Sequence, residues 1–271
     1  MKYTVFGASG FIGSHLVRWL QSHGHTCWAP ERGTDVSGKP LGHAIYCIGV
    51  TADFRKRRLD TVRAHVCTLL GILERAEFDS FLYLSSARIY AGLEDSREDD
   101  NLRVNPTEAD YLYNISKIMG ESLCLSSVPS STRVVRLSNV YGRDFGSENF
   151  LFSVLRDAVD HKKVVLHTSL DSEKDYVDVH DVVRILPQIA ASGRHRIYNV
   201  ASGVSTTHRA LLELVQQITG CGVEVAEGAA TVRFPRISIE RIREEFDFVP
   251  SRVLDSLPDL VAEYQRRAVA T

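Results

Sequence analysis

Short apolar runs alternate with stretches of helical period along most of the chain. Tyr3-Thr4-Val5-Phe6 reads as a first strand. Ile12, Leu16, Val17 and Leu20 then recur at helical spacing until Gly24, and Thr26-Cys27-Trp28-Ala29 reads as a second strand. Residues 44–48, 81–84 and 133–137 are further strand-like runs. Val62, Val66, Leu69, Leu70 and Leu73 mark the inner face of a helix, and another helix is expected over about 109–125. In the second half the pattern predicts a helix at 149–159, a strand at 163–167, a strand entering a helix over 174–182, and a strand at 195–201. Thr206 or Thr207 caps a helix through Leu211, Leu212, Leu214, Val215 and Ile218 that ends at Gly220. A short strand at 223–225 follows, then helices marked by Ile239, Ile242 and Phe246 and by Leu257, Leu260, Val261 and Tyr264. Strands alternating with helices in this way predict an α/β fold around a parallel sheet.

The junction between the first strand and first helix is Gly7-Ala8-Ser9-Gly10-Phe11-Ile12-Gly13. Glycines there allow a tight turn and let a pyrophosphate approach backbone N–H groups at the helix N-terminus, so residues 7–13 are assigned to dinucleotide binding. Glu31 stands at the end of the second strand, where a carboxylate can accept hydrogen bonds from both hydroxyls of an adenosine ribose, which favours NAD. Arg32 follows and could pair with a 2′-phosphate, which favours NADP. NAD is preferred and NADP stays open. The stretch from Gly33 to His43 is too short for a crossover helix and a strand. The usual second helix and third strand are therefore expected to be missing, with Asp35 as a remnant near the adenine. Ile48 and Gly49 end the next strand, where a glycine lets a cofactor pass close to the backbone.

Tyr113 and Lys117 lie one helical turn apart. An ammonium held beside a phenol favours its ionised form and tunes it for proton transfer at an alcohol or sugar oxygen. Ser85 and Ser86 close the strand at 81–84. In a parallel sheet ligands bind beyond such carboxyl ends, so a serine hydroxyl there could address the same oxygen. The run Arg55-Lys56-Arg57-Arg58 reads as a solvated helix start, the acidic stretch 94–110 as a rim or lid, and His65 as structural. His180 and Asp181 suit capping better than catalysis, and Arg233 or Arg236 could reach a substrate phosphate.

Composition changes little. The chain has 271 residues, 44% apolar content and a formal net charge of −2, which suit a soluble globular protein and give no reason to expect nucleic acid or membrane binding. Its five cysteines are scattered and never paired as C-x-x-C, which suits free thiols in a reducing compartment and not zinc or disulfides. With no basic-then-apolar leader before the first strand, a cytoplasmic location is expected.

Taken in order, several stretches resemble one family. They are Gly7-x-x-Gly10-x-x-Gly13, Ser85-Ser86 to Tyr90, Tyr113-x-x-x-Lys117, Arg136-Leu137-Ser138-Asn139-Val140-Tyr141-Gly142, residues 174–182, and Tyr198-Asn199-Val200-Ala201-Ser202-Gly203. The chain resembles the extended short-chain dehydrogenase/reductase superfamily, in its nucleotide-sugar epimerase/dehydratase/reductase branch. The resemblance implies that Tyr113 is the general acid/base, that Lys117 holds the nicotinamide ribose and depresses the tyrosine pKa, and that Ser86 assists. It implies that Asn139 and Asn149 contact a sugar nucleotide, with Ala87 and Arg88 beside it, and that Lys174 stands where an arginine often binds phosphates. Sugar-nucleotide 4,6-dehydratases carry Asp-Glu directly after the catalytic hydroxyl residue. Here those positions are Ala87 and Arg88, which argues against that elimination. Family members commonly dimerise through two helices each, here those of His65 and Tyr113.

The expected fold is a Rossmann-like doubly wound parallel sheet, truncated after its second strand, with a small C-terminal α/β substrate lobe. Residues 1–145 would form mainly the dinucleotide-binding domain and 146–271 mainly the lobe, with 175–201 returning to the main sheet. The expected function is hydride transfer at a ring carbon, C4, of a nucleotide-activated sugar, as a 4-keto reductase or a 4-epimerase. A non-catalytic NAD(P)-sensing regulator and a reductase of non-nucleotide carbonyls are the alternatives.

Overall fold

The computed structural model describes residues 1–51, 53–126 and 130–270. In chain order the first half runs β1 (Lys2–Phe6), α1 (Phe11–Ser22), β2 (Thr26–Trp28) and β3 (His43–Tyr46). It continues with α2 (Arg58–Val62), a π-helical turn (Arg63–Cys67), α3 (Thr68–Leu73), β4 (Ser80–Ser86), α4 (Tyr111–Ser126) and β5 (Thr132–Leu137). The second half runs β6 (Asn139–Tyr141), α5 (Phe150–Arg156), β7 (Lys163–Thr168), β8 (Glu173–Asp178), α6 (Val179–Ser192), β9 (Ile197–Val200) and β10 (Ser205–Thr207). It ends with α7 (His208–Thr219), β11 (Gly222–Ala230), α8 (Glu240–Phe246) and α9 (Val253–Ala270).

The main sheet has six parallel strands in the order β2-β1-β3-β4-β5-β9. The chain adds β2 on one side of β1 and β3 on the other, and this switch in strand order makes the carboxyl ends of β1, β3 and β4 the place for a ligand. Alternate residues bury opposite faces. Val5, Ile45, Leu82 and Val135 pack with Leu16 and Leu20 of α1 and Ile185 and Ile189 of α6. Phe6, Tyr46, Phe81, Tyr83 and Val134 pack with Leu69 and Ile72 of α3 and Cys124 of α4. Both faces are covered, as a parallel sheet requires.

Between β2 and β3, residues 29–42 form no helix and no strand, only a bridge from Pro40 to Glu77. The expected truncation is present, and the three-residue β2 is left as the sheet edge.

One expectation needs correction. Of residues 175–201, only β9 joins the main sheet. Residues 175–178 lie in β8, the centre of a separate three-stranded sheet, β10-β8-β6. The cause is β6, which leaves β5 almost at once and pairs in parallel with β8, Asn139 opposite Tyr176. α6 then carries the chain back across the main sheet. β7 and β11 form a third, two-stranded parallel sheet, and β11 is longer than the short strand expected at 223–225. The lobe has its own core of Tyr141, Phe152, Leu155, Leu166, Tyr176, Leu212, Val215 and Leu257. Thr207, not Thr206, caps α7 by accepting from the Ala210 N–H, and Gly220 ends that helix in the left-handed region.

Asn199 of β9 ties the lobe to the long connection before α4. Its Nδ2 donates to Ser96 O (2.8 Å) and Ser238 O (2.9 Å), and Ser96 Oγ donates to Arg236 O. The acidic stretch 94–110 is thus anchored at Ser96 and Glu98, both buried, and is not wholly the solvated rim its charge suggests.

Candidate active site

The glycine turn is built as its spacing predicts. Gly7 has φ +79°, and a Cβ there would stand 2.9 Å from Ile48 N, so β1 and the end of β3 touch through backbone alone. A Cβ on Gly13 would fall 2.2 Å from Gly7 O. Gly10 is the N-cap of α1. No side chain caps that helix and no acid lies in its first turn. Its free N–H groups and positive dipole end therefore fit an anionic diphosphate, with the backbone of Ser9, Gly10, Phe11 and Ile12 as the cradle.

A cavity of about 480 Å³ opens beside this cradle, between the sheet and the lobe. Gly10, Phe11, Ile12, Ile48 and Gly49 line its cofactor side. Ser86, Ala87, Arg88, Tyr113 and Lys117 line its middle, and Asn139, Asn149 and Lys174 its far side. Glu31, Arg32 and Asp35 are not brought to its wall. All three are exposed, and the Asp35 carboxylate accepts from the Ser37 N–H (3.1 Å) and hydroxyl (2.8 Å), which lowers its pKa and closes a local turn. With no helix after β2, the loop that carries Asp35 stays open to solvent.

Tyr113 is buried, and desolvation raises the pKa of its phenol; a hydrogen bond from Ser86 and the charge of Arg88 lower it in part. Ser86 sits at the end of β4, where its Oγ accepts the Arg88 N–H at 3.2 Å, leaving its own proton for the phenol oxygen. Lys117 is also buried. Its Nζ donates to Leu84 O at 2.8 Å, and desolvation brings its pKa down to about 7 despite the charge of Glu121. A Cβ on Gly49 would lie 3.6 Å from Nζ, so that glycine leaves the ammonium open to the cavity floor. Lys117 keeps one N–H on Leu84 O, and Arg88 is a second cation on the same wall. Ser85 is part of the same wall, and its Oγ is buried without a protein hydrogen-bond partner.

His65 is fully buried against Tyr113, ring centroids 5.3 Å apart. Ser116 Oγ donates to Tyr113 O, so it accepts from His65 Nδ1 (2.8 Å), and Nε2 then accepts the Val50 N–H (3.3 Å). That pattern requires the neutral ring, in keeping with a pKa pushed down to about 2 by burial first and Lys117 second. His65 is structural, as expected.

At the far side of the cavity, Asn139 Nδ2 donates to Asp175 O at 2.7 Å. Asn149 caps α5 by accepting from the Phe152 N–H at 3.1 Å, which leaves its amide N–H groups for a ligand. Lys174 stands 4.6 Å from the Phe150 ring centre with no carboxylate partner, and burial lowers its pKa to about 8. Arg233 and Arg236 do not line the cavity; Arg236 Nε donates to Gly203 O, a structural tie. Asp178 caps α6 while Asp181 accepts from the Ser251 N–H and pairs with Arg184, so this junction is local bonding. Two of the four residues of the basic run, Arg55 and Arg57, are ion-paired, and Arg55 lines the cavity and grips Asp110 through two bonds of 2.6 and 2.8 Å. Phe54, Phe234 and Pro235 also form wall that the sequence reading missed. They lie in loops without period, and only their apolar character in polar stretches hinted at them. Among the described residues no group of His, Cys, Asp and Glu could hold a metal ion, and no helix is long and apolar enough to cross a membrane.

Residues 3–64 and 40–201 match the model of the NAD dependent epimerase/dehydratase family. The chain belongs to that family. A GDP-6-deoxy-D-mannose reductase of Pseudomonas aeruginosa is 28% identical over 267 residues, covering 88% of this chain and 86% of the relative. A dTDP-glucose 4,6-dehydratase of Streptomyces griseus is 27% identical over 311 residues, covering 97% and 93%. The solved structure of RMD from Pseudomonas aeruginosa complexed with NADPH superposes with a TM-score of 0.81 at 21% identity, over 98% of this chain and 100% of that one. The epimerase/dehydratase family is NAD-dependent, and its members related to this enzyme include nucleotide-sugar reductases and dehydratases.

Proposed function

We propose that this enzyme transfers hydride between a nicotinamide cofactor and the C4 position of a nucleotide-activated sugar, and that its net reaction is reduction of a 4-keto sugar. The observation that carries the reading is the meeting of Ser86, Tyr113 and Lys117 in one cavity between the glycine turn and the lobe. The bound dinucleotide supplies the hydride. In reduction the Tyr113 phenol gives its proton to the carbonyl oxygen, and Ser86 Oγ–H donates to the same oxygen as charge develops there. Lys117 holds ribose hydroxyls over Gly49. Asn139, the amide N–H groups of Asn149, and Lys174 bind the nucleotide side, where a half-buried ammonium with no carboxylate partner among the described residues calls for an anion. Ala87 and Arg88 provide no acid for elimination of water.

Reduction is preferred to 4-epimerisation because of the open adenine side. An epimerase keeps its cofactor through the keto intermediate, whereas a reductase exchanges it every turn. With Glu31, Arg32 and Asp35 exposed and β2 the sheet edge, the cofactor is gripped mainly at the diphosphate and nicotinamide. Glu31 keeps NAD the preferred form; Arg32 leaves NADP usable. A homodimer through α2, α3 and α4 is supported by exposed Leu59, Leu70 and Met119 on those helices, and Met119→Glu should return it to monomer.

The test is incubation with a panel of nucleotide sugars and 4-keto sugars, following NADH and NADPH absorbance and product identity. Stoichiometric NADH loss with a keto sugar is expected. Isomerised product without net change in NADH means the epimerase, and no turnover of any nucleotide sugar overturns the reading.

A further inference from the structure

Four cations stand on the cavity wall, and three have an evident task. Lys117 bonds Leu84 O, Arg55 grips Asp110, and Lys174 stands over Phe150 beside Asn149. Arg88 is left over. Its backbone is fixed, since the N–H donates to Ser86 Oγ at 3.2 Å and the carbonyl accepts from Asn114 Nδ2 at 3.3 Å. Its side chain is only 33% exposed, yet it closes no hydrogen bond on any described residue. The Nε atom is buried with no partner. The one carboxylate paired with it among the described residues is Asp110, 3.7 Å from Nη2, which is too long for a hydrogen bond, and Arg55 already holds that carboxylate. The guanidinium stands 5.2 Å over the Phe54 ring, and that ring lies 4.9 Å from the ring of Tyr113. An unfilled fork of N–H donors is thus built into the wall beside the two hydroxyls that address the sugar oxygen.

We propose that Arg88 makes this enzyme select an acidic sugar: the substrate is a nucleotide-activated hexuronic acid, and Arg88 binds its carboxylate. The proposal rests on the nucleotide-sugar reading and names the sugar class within it. A partly buried guanidinium without acceptors is costly, and its planar fork matches the two oxygens of a carboxylate. In a hexuronic acid that carboxylate is carried on C5, the ring neighbour of C4. A sugar whose C4 oxygen lies against Ser86 and Tyr113 therefore holds its acid group next to the same short segment, Ser86 to Arg88. The diphosphate has its own cation in Lys174, so it does not need Arg88. The acids on the wall do not fill the fork either. Asp144, Glu148 and Asp175 line the cavity without pairing with Arg88, and the Asp175 carboxylate is taken by the N–H groups of Ser202 and Val204. A neutral sugar would leave the fork empty. Phe54 and Ala87 beside it keep water sparse, which strengthens an ion pair formed there. The selection holds for either direction of hydride transfer.

The test is binding without chemistry. Tyr113→Phe protein loaded with NAD is titrated calorimetrically with UDP-glucose against UDP-glucuronic acid, and with the matching GDP- and dTDP-linked pairs; UDP, GDP and dTDP alone are the references. For the nucleotide that binds, the acid sugar should bind about tenfold more tightly than its neutral partner, or better. Adding Arg88→Gln should bring that ratio to about one, and Arg88→Lys, which keeps the charge and loses the fork, should fall between. Asp110→Asn removes the competing carboxylate from an exposed position. It should widen the ratio, and it reads the same pairing should the Arg88 variants fail to fold. Equal affinity for acid and neutral sugars, or a ratio that survives Arg88→Gln, overturns the proposal. So does a parallel loss for both sugars and the free nucleotide in Arg88→Gln, which would make Arg88 a phosphate ligand. Acid and neutral sugars bound alike leave the nucleotide-sugar reading standing, whereas no binding of any nucleotide sugar overturns that reading as well, so the two failures are distinct.

Discussion

Arg136 Nη2 donates to Glu121 Oε2 at 2.7 Å, and its Nε reaches both carboxylate oxygens at 3.1 and 3.2 Å, between side chains each 4% exposed. The remaining Nη1 donates to Tyr90 Oη at 2.7 Å and Glu98 O at 3.1 Å, and Tyr90 donates on to Asn199. Glu121 lies on α4 one turn beyond Lys117. The pair thus pins the catalytic helix to β5 and to the turn after β4. Removing one partner strands a buried charge, so Glu121→Gln should cost about 3–5 kcal/mol in urea unfolding. Replacing both, as Glu121→Leu with Arg136→Met, should cost less than the single change.

Stability should fall in mild acid because of His65. Its folded pKa is about 2 and its unfolded value about 6.5. Between those limits the unfolded chain binds the extra proton, so stability is full above pH 6.5 and is lost as pH falls, by about 1.4 kcal/mol per unit or about 2 kcal/mol at pH 5. His65→Asn has no such group. Whatever its absolute stability, its unfolding free energy should change less between pH 7 and 5 than that of the wild type, and equal slopes would refute the neutral assignment.

Tyr113→Phe should lower kcat by about 10²–10⁴ with little change in NADH affinity, because the lost group moves a proton and does not hold the cofactor. Single-turnover hydride transfer and a cofactor titration measure the two halves. Turnover close to wild type would remove Tyr113 from the mechanism.

Gly13→Ala places a methyl 2.2 Å from Gly7 O, a contact no rotamer relieves. The turn must spread, at about 1–3 kcal/mol in thermal unfolding. Since the same turn aims the N-terminus of α1, NADH affinity should drop with it. A destabilised protein that still binds NADH normally would separate the glycine from the cradle.

The elements that carry their own period were legible in the sequence. The glycine turn, the Tyr113 helix and the paired strands follow from spacing alone, and the missing third strand follows from the shortness of residues 33–43. Ser86, Tyr113, Lys117, Asn139, Asn149 and Lys174 do line one cavity. What escaped was direction and closure. That Lys117 bonds Leu84 O while Arg88 stands over Phe54 depends on the short 3-10 helix at Ala87–Tyr90 and on Asn114, contacts no local pattern encodes. β8 left the expected main sheet because β6, only three residues long, competes for it. Phe54, Arg55 and Phe234 reached the cavity from loops positioned by distant partners, such as Asp110.

Asn199 holds Ser96 and Ser238 together, and Ser238 follows directly on the segment that brings Phe234, Pro235 and Ile237 to the cavity wall. That wall is moored at several points, Ser96 also donating to Arg236 O and Arg236 to Gly203 O. Beside Phe54, the half-exposed Arg55–Asp110 pair is a latch of another kind, an ion pair in contact with water. Such a latch weakens as counterions crowd it. Ligand exchange should therefore quicken with ionic strength while the chemical step does not, giving the enzyme a salt-sensitive door and a salt-indifferent room.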